Sequence, residues 1–298
     1  MGFNLIGVGE VLWDLLPSGP QLGGAPANFA YHAHALGAQA GVITRVGKDT
    51  LGDSISQRFV ELGIGKSTVQ VDAHAPTGTV SVTLSASGIP NYVIHEQVAW
   101  DFLEVTPAGL NSVSAADAVC FGSLAQRGDI SRAAIQKLMA AASPKALRIF
   151  DVNLRQKYFT RDIIEQSLKL ANVFKLNEEE LEIIGRVFEL GGSVRDQIEA
   201  LSSAYNLHLV ALTRGADGSL LYQGGQWSDC KSDSTNIADT VGAGDAFTAA
   251  LVMGLLRKKK LEEINSIANE IARYVCSRAG ATPPLPDRFS KRLAGRYG

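Results

Sequence analysis

Cysteine is scarce: Cys120, Cys230 and Cys276 are the three among 298 residues, far apart and with no CxxC pair. That spacing suggests neither a disulfide framework nor a zinc site. The three read as small apolar fillers in a reducing compartment. Excess charge of either sign is also missing. A formal net charge of −2 and a pI near 6.2 give no bulk attraction to nucleic acid or to an anionic membrane. No window reaches the roughly 18 uninterrupted apolar residues that a membrane-spanning helix needs. The opening run "MGFNLIGVGEVLWDLL" has no basic n-region, carries Glu10 and Asp14 among its apolar residues, and has Ile6 where a myristoylation pattern requires Ser or Thr. These absences predict a soluble, cytoplasmic protein whose ligand is a small neutral or anionic molecule.

Common catalytic and nucleotide-binding motifs are missing as well. There is no HExxH, no GxSxG elbow and no EF-hand loop. "GKS" at 65–67 imitates the end of a P-loop, but Val60 stands where the first glycine belongs. A helix precedes it and a strand follows, the reverse of the required order. "GVGEVL" at 7–12 has two glycines of a dinucleotide fingerprint and Leu12 in place of the third.

What is present is a chain able to bury a large core, with 46% hydrophobic and 19% charged residues. Short β-branched apolar runs ("NLIGVG", "AGVITRVG", "DAVCFG", "LRIFDVN", "NVFKLN", "LHLVALT") alternate with helical patterns at 27–37, 50–62, 129–142, 161–170 and 193–205. This rhythm predicts βαβ units and an α/β fold: a doubly wound, mostly parallel sheet flanked by helices, with ligands at the carboxyl ends of the strands. One stretch breaks it. From Pro76 to Ile94 the pattern alternates with period two around Ser87, Gly88 and Pro90, which predicts a hairpin with no crossover helix. Such a hairpin serves as a lid, a subunit contact or an antiparallel edge extension. The basic run 257–260 reads as a solvated helix end.

Two glycine clusters carry the chemistry. "DTVGAGDAF" from Asp239 to Phe247 sets Asp245 behind Gly242, Ala243 and Gly244, and an apolar helix "DAFTAALVMGLL" follows. Its unpaired first-turn amides and dipole make an anion hole, and glycines let a phosphate approach closely. Asp245 itself either does chemistry there or caps the first turn. The second cluster, "GGAPANFAYHAHALG", places Gly23, Gly24 and Pro26 before a helix whose first turn carries Asn28, while Asp14 lies upstream in "GEVLWD". Asp and Asn beside exposed amides supply the donors and acceptors that a polyhydroxylated ligand needs.

With both clusters in this order, the sequence resembles the ribokinase (PfkB) family of carbohydrate kinases, most closely its fructokinase branch. Gly23, Gly24, Ala27, Asn28 and Ala30 match the family's N-terminal signature, and "DTVGAGDAFTA" its C-terminal one. "DVNLR", "KLNEEE", "LTRG" and "GATPPLP" follow the family order, so the likeness spans nearly the whole chain. It implies one ribokinase-like domain over 1–298, with a small β-sheet lid from about 11–16 and 76–95 that covers the sugar and, in some members, forms a dimer contact.

The same resemblance implies roles for individual residues. Asp245 would be the general base that takes the proton of a sugar hydroxyl attacking the γ-phosphate of ATP, with Gly242, Ala243 and Gly244 as the anion hole. Asp14, Gly23, Gly24 and Asn28 would hold the sugar, and Asn153 and Arg155 would reach substrate or phosphate; a helix cap and a surface arginine are the plainer alternative for that pair. Asn177 and Glu180 match an NxxE motif that organises Mg²⁺ through water and phosphates, whereas Glu178 and Glu179 read as plain first-turn acids. Thr213, Gly215 and Asn269 match nucleotide-contacting positions. A K⁺ site with Asp239 and the carbonyls of Val241 and Gly280 is also implied, although Val241 and Pro284 stand where some members carry hydroxyl residues. D-fructose is the sugar favoured by the "DVNLR" form and the short lid. A 2-keto-3-deoxygluconate kinase, a vitamin or nucleoside kinase, and a sugar-binding regulator on the same fold are the rivals. The expected partners are sugar and ATP, with no nucleic acid, no membrane and a homodimer through the lid.

Overall fold

The computed structural model describes residues 2–16, 19–84, 90–232 and 237–295. The chain begins β1 (Asn4–Val8), β2 (Leu12–Leu16), β3 (Gly19–Gly23), α1 (Ala25–Ala35), β4 (Gln39–Gly47), α2 (Thr50–Glu61) and β5 (Val69–Asp72). It continues through β6 (Gly78–Leu84), β7 (Pro90–Ile94), α3 (Pro107–Ser114), β8 (Ala118–Phe121), α4 (Asp129–Ala140), β9 (Leu147–Asp151), α5 (Arg161–Leu170), β10 (Val173–Asn177), α6 (Glu178–Val187) and α7 (Val194–Ala204). It ends with β11 (Leu209–Thr213), β12 (Ser219–Gln223), β13 (Gln226–Cys230), α8 (Ala243–Leu256), α9 (Leu261–Cys276) and α10 (Asp287–Leu293).

Among the described residues the main sheet has the order β13-β12-β11-β10-β9-β8-β1-β4-β5. From β5 to β11 every pairing is parallel, and β12 and β13 add an antiparallel edge. Period-two alternation splits the core into two layers. Ala118 and Cys120 of β8 pack with α1, α8 and α9, while Val119 and Phe121 pack with α3, α4 and α5. Phe121, Phe150 and Phe174 stack across β8, β9 and β10 at 5.3 and 5.6 Å between centroids. With both faces covered, these strands are largely apolar, as parallel sheets favour.

From β1 the chain turns to β4 on one side and later to β8 on the other, so the strand order reverses there. Ligand crevices of open α/β sheets form at such a switch point, beyond the carboxyl ends of the strands. The described residues contain no helix long and apolar enough to cross a membrane.

A second sheet has the order β3-β2-β6-β7. β6 and β7 are antiparallel, as the 76–94 pattern predicts; the Ser87–Gly88 turn lies outside the described residues. Strand β3 was not foreseen, because "GPQLG" reads as a loop leading into the glycine signature. It pairs antiparallel with β2 and places Gln21 opposite Asp14. The "GKS" stretch follows α2 and precedes β5, so it is no P-loop. "GVGEVL" leads from β1 into strand β2 instead of a helix, which removes the dinucleotide reading too.

Candidate active site

Helix α8 begins at a glycine because no other residue fits. Gly242, its N-cap, has φ 78°, a left-handed conformation that costs other residues. A Cβ there would lie 2.3 Å from the carbonyl oxygen of Ala281. No side chain caps this helix. The first-turn amides of Gly244 and Asp245 therefore have no intrahelical acceptor, and that of Ala243 has only a long 3.4 Å contact to the Thr240 carbonyl. The carboxylate of Asp245 turns to another element: Asn28 Nδ2 donates to Asp245 Oδ2 at 2.8 Å. Loss of water pushes the Asp245 carboxyl up to about 6, Asp151 adds to the rise, and Asn28, Lys175 and Arg155 oppose it.

Asn28 itself is buried, with Oδ1 lacking a partner, on the α1 helix whose N-cap is Gly24. Gly24 has φ 111°, and a Cβ on it would meet the Glu10 carbonyl oxygen at 2.5 Å. At Gly23 a Cβ would meet Asp14 Oδ2 at 2.6 Å. The Asp14 carboxylate thus lies against the glycine pair, its pKa raised by burial and opposed by Arg155. The glycine pair thus adjoins Asp14 on one side and opens α1, whose Asn28 reaches Asp245, on the other.

Glu10 is a member of this site that the sequence reading missed. It is 2% exposed with Oε2 unpartnered, and burial pushes its carboxyl up to about 7, with Arg155 lowering and Asp245 raising it. In the sequence it was only a charge in an apolar run, and its burial beneath α1 has no local signal. Arg155 is exposed, yet its charge reaches Glu10, Asp14 and Asp245. Asn153, two residues before it, adopts φ 45°, which Asn tolerates better than most residues.

Asn177 caps α6. Its Oδ1 accepts from Glu180 N at 2.9 Å, and Glu180 Oε2 accepts from Asn177 N at 2.8 Å, a reciprocal capping box. Glu180 Oε1 accepts from Leu154 N at 3.0 Å, so its carboxylate joins the "DVNLR" and "KLNEEE" loops. It is 4% exposed, and burial raises its pKa. Glu178 and Glu179 are exposed first-turn acids, as expected. Among the described residues no group of three or more His, Cys, Asp or Glu could hold a metal.

Thr213 is the register neighbour of Asn177 at the end of β11. Gly215, at φ 54°, faces open space where a Cβ would be. Asn269 is committed elsewhere: its Nδ2 donates to Ser219 Oγ at 2.6 Å and to the Asn265 carbonyl at 2.9 Å. Asp239 is a loop clamp, with Oδ1 accepting from Val241 N and Oδ2 from Gly280 N, each at 3.0 Å. His32 on α1, kept neutral by burial with a pKa of about 4, donates from Nε2 to the Ala281 carbonyl at 2.9 Å. Tyr31 holds the Pro283 carbonyl at 3.1 Å. The loop packed against Gly242 is thus gripped by the helix that carries Asn28.

Known proteins share this architecture. Residues 20–288 match the model of the pfkB family carbohydrate kinases. A fructokinase of Escherichia coli is 30% identical over 300 residues, covering 94% of this chain and 95% of that protein. A sugar kinase of Pyrococcus horikoshii, described as uncharacterized and solved in complex with ATP, superposes with a TM-score of 0.81 at 28% identity over 97% of this chain and 99% of that one. The ATP-bound fructokinase of Xylella fastidiosa has the same fold, with a TM-score of 0.85 at 20% identity over 98% of each chain. The two signatures that meet at the Asn28–Asp245 hydrogen bond thus lie within a likeness spanning almost the whole molecule, and the chain belongs to the pfkB family of carbohydrate kinases.

Proposed function

We propose that the protein is an ATP-dependent fructokinase that phosphorylates the primary 6-hydroxyl of D-fructose. The observation that carries the kinase reading is the 2.8 Å bond from Asn28 to Asp245, because it brings the polyol-binding helix to the carboxylate beside the anion hole; fructose rests on the "DVNLR" form and the short lid. Asp14, Gly23, Gly24 and Asn28 hold the sugar. Asp245 takes the proton of the attacking hydroxyl; the oxygen bonds to the γ-phosphorus as the bond to ADP breaks. Amides of Gly242, Ala243 and Gly244 meet the charge on the transferring oxygens, which is where a kinase gains most of its rate. Thr213 and Gly215 border the nucleotide, and Asn269 supports that border through Ser219.

Mg²⁺ fits as a hydrated ion. Both oxygens of Glu180 are engaged by backbone amides, so Asn177 and Glu180 would hold it through water while ATP phosphates supply direct oxygens, as Mg²⁺ accepts. When bound, it neutralises phosphate charge. K⁺ fits less well, because the Asp239 carboxylate is already shared between the amides of Val241 and Gly280, and no step depends on it.

The whole chain acts as one kinase domain in the cytoplasm. The β3-β2-β6-β7 sheet serves as a lid that shields the poised phosphate from water and joins two copies in a homodimer. A second reading, 2-keto-3-deoxygluconate kinase, draws on Arg155, whose guanidinium suits a substrate carboxylate. Coupled ADP-release assays over fructose, ribose, 2-keto-3-deoxygluconate and adenosine decide. The expected result is the highest kcat/KM for fructose. Preference for the keto-sugar acid transfers the assignment to the second reading, and no turnover with any of them points to a sugar-binding regulator.

A further inference from the structure

Directly beneath the first turn of α8 lies a buried ion pair with no role so far. Asp151 ends β9, and Lys175 is its register partner on the adjacent parallel strand β10. Lys175 Nζ is 3.0 Å from Asp151 Oδ1, and the two residues are 7% and 4% exposed. Desolvating two charges rarely gains stability over an apolar pair of the same size, so the pair's position calls for another reason.

Its contacts supply one. The second oxygen of Asp151, Oδ2, accepts from the hydroxyl of Thr248 at 2.8 Å. Thr248 is fully buried on α8, and its hydroxyl lies 3.0 Å from the Gly244 carbonyl one turn earlier. Lys175 faces the same turn, since a Cβ on Gly244 would come within 3.1 Å of Nζ. Any larger residue at 244 would push on an ammonium that Asp151 already holds. Besides Asp151 at 3.0 Å, the carboxylates of Glu180 and Asp245 act on this ammonium. Through Glu180, which clamps the amides of Asn177 and Leu154, this charged cluster extends from the start of α6 to the start of α8.

We infer that Asp151 and Lys175, hooked to α8 by Thr248, are the positioning element of the phosphoryl-transfer site. They fix the turn that carries Asp245 and the amides of Gly242 to Gly244, and they hold a desolvated cation behind those amides. A fixed cation in a water-poor site acts on developing negative charge without reorganising. The inference rests on the reading of Asp245 as the base.

The test compares Thr248→Val, which removes only the hydroxyl, with Thr248→Ser, which keeps it. Because Lys175→Met alone leaves Asp151 unpaired and endangers folding, the charge is removed with the double variant Asp151→Asn, Lys175→Met. Two readouts are taken: steady-state kinetics with the best sugar of the panel, and hydrogen exchange of amides 242–248 in the ligand-free protein. Thr248→Val and the double variant should lose at least about 10-fold in kcat, with KM for sugar and ATP within about 3-fold of wild type. Exchange in 242–248 should quicken at least about 10-fold in Thr248→Val, and Thr248→Ser should recover both properties to within about 3-fold. A Thr248→Val protein with wild-type exchange, a Thr248→Ser protein as impaired as Thr248→Val, or a folded double variant with wild-type kcat each overturns the inference. Asp245→Asn is measured in parallel. Wild-type turnover in that variant refutes the base assignment, while the exchange comparison still decides whether Thr248 holds the turn.

Discussion

Asn28 and Asp245 are 217 positions apart in the chain and share a 2.8 Å hydrogen bond. The bond favours the ionised carboxylate, against burial and the neighbouring Asp151, and the balance leaves Asp245 at about 6.

This balance sets a pH dependence. A base must be ionised to accept a proton, so kcat/KM for the sugar should fall below pH about 6 and approach a tenfold loss per pH unit further down. Asn28→Ala removes the bond that favours the charged form, so its acid limb should move to higher pH. Rate profiles from pH 4.5 to 8.5 for both proteins check this; an unshifted limb in Asn28→Ala would detach the bond from the base.

Glu10 leads to a prediction about stability. Its carboxyl, pushed up to about 7 by burial, holds a proton in the fold at pH values where the unfolded chain has released it. The folded protein therefore binds more protons between the usual carboxylate range and about 7, and stability falls as pH rises through that window. Glu10→Gln removes the charge and keeps the shape. It should stabilise the protein by up to roughly 3 kcal/mol at pH 8 and by less than half as much at pH 5. Denaturant unfolding at the two pH values measures the difference.

The same residues show what the sequence could and could not disclose. Alternating apolar runs exposed the parallel strands and their helices, since burial on both faces favours apolar residues along most of each strand. The two glycine signatures exposed the site, since a left-handed Gly242 and close contacts at Gly23 and Gly24 admit nothing larger. Strands β12 and β13 went unforeseen, although Gly224 and Gly225 between them form a hairpin signal. Glu10, Asp151, Lys175 and Thr248 were hidden for a different reason. Strand register and tertiary packing bring them together, and neither leaves a local pattern. Gly242 takes the N-cap position of α8, and Asp245 is the acidic residue of its first turn, bonded to Asn28.

Asp14 carries a prediction on specificity. Lying against Gly23, just before the helix that carries Asn28, it should affect the sugar and not the nucleotide. Asp14→Ala should raise KM for the sugar at least about 10-fold and leave KM for ATP within about 2-fold. Equal increases in both would move Asp14 out of the sugar pocket.

Asp245→Asn is the decisive variant for phosphoryl transfer, because it keeps the size of the side chain and a partner for Asn28 while removing the base. Steady-state kcat and calorimetric sugar binding are measured on the same preparation. The expected result is a kcat lower by at least about 100-fold with sugar affinity within about 3-fold of wild type. Near-wild-type turnover, or a loss of sugar binding that accounts for the fall in rate, would contradict it.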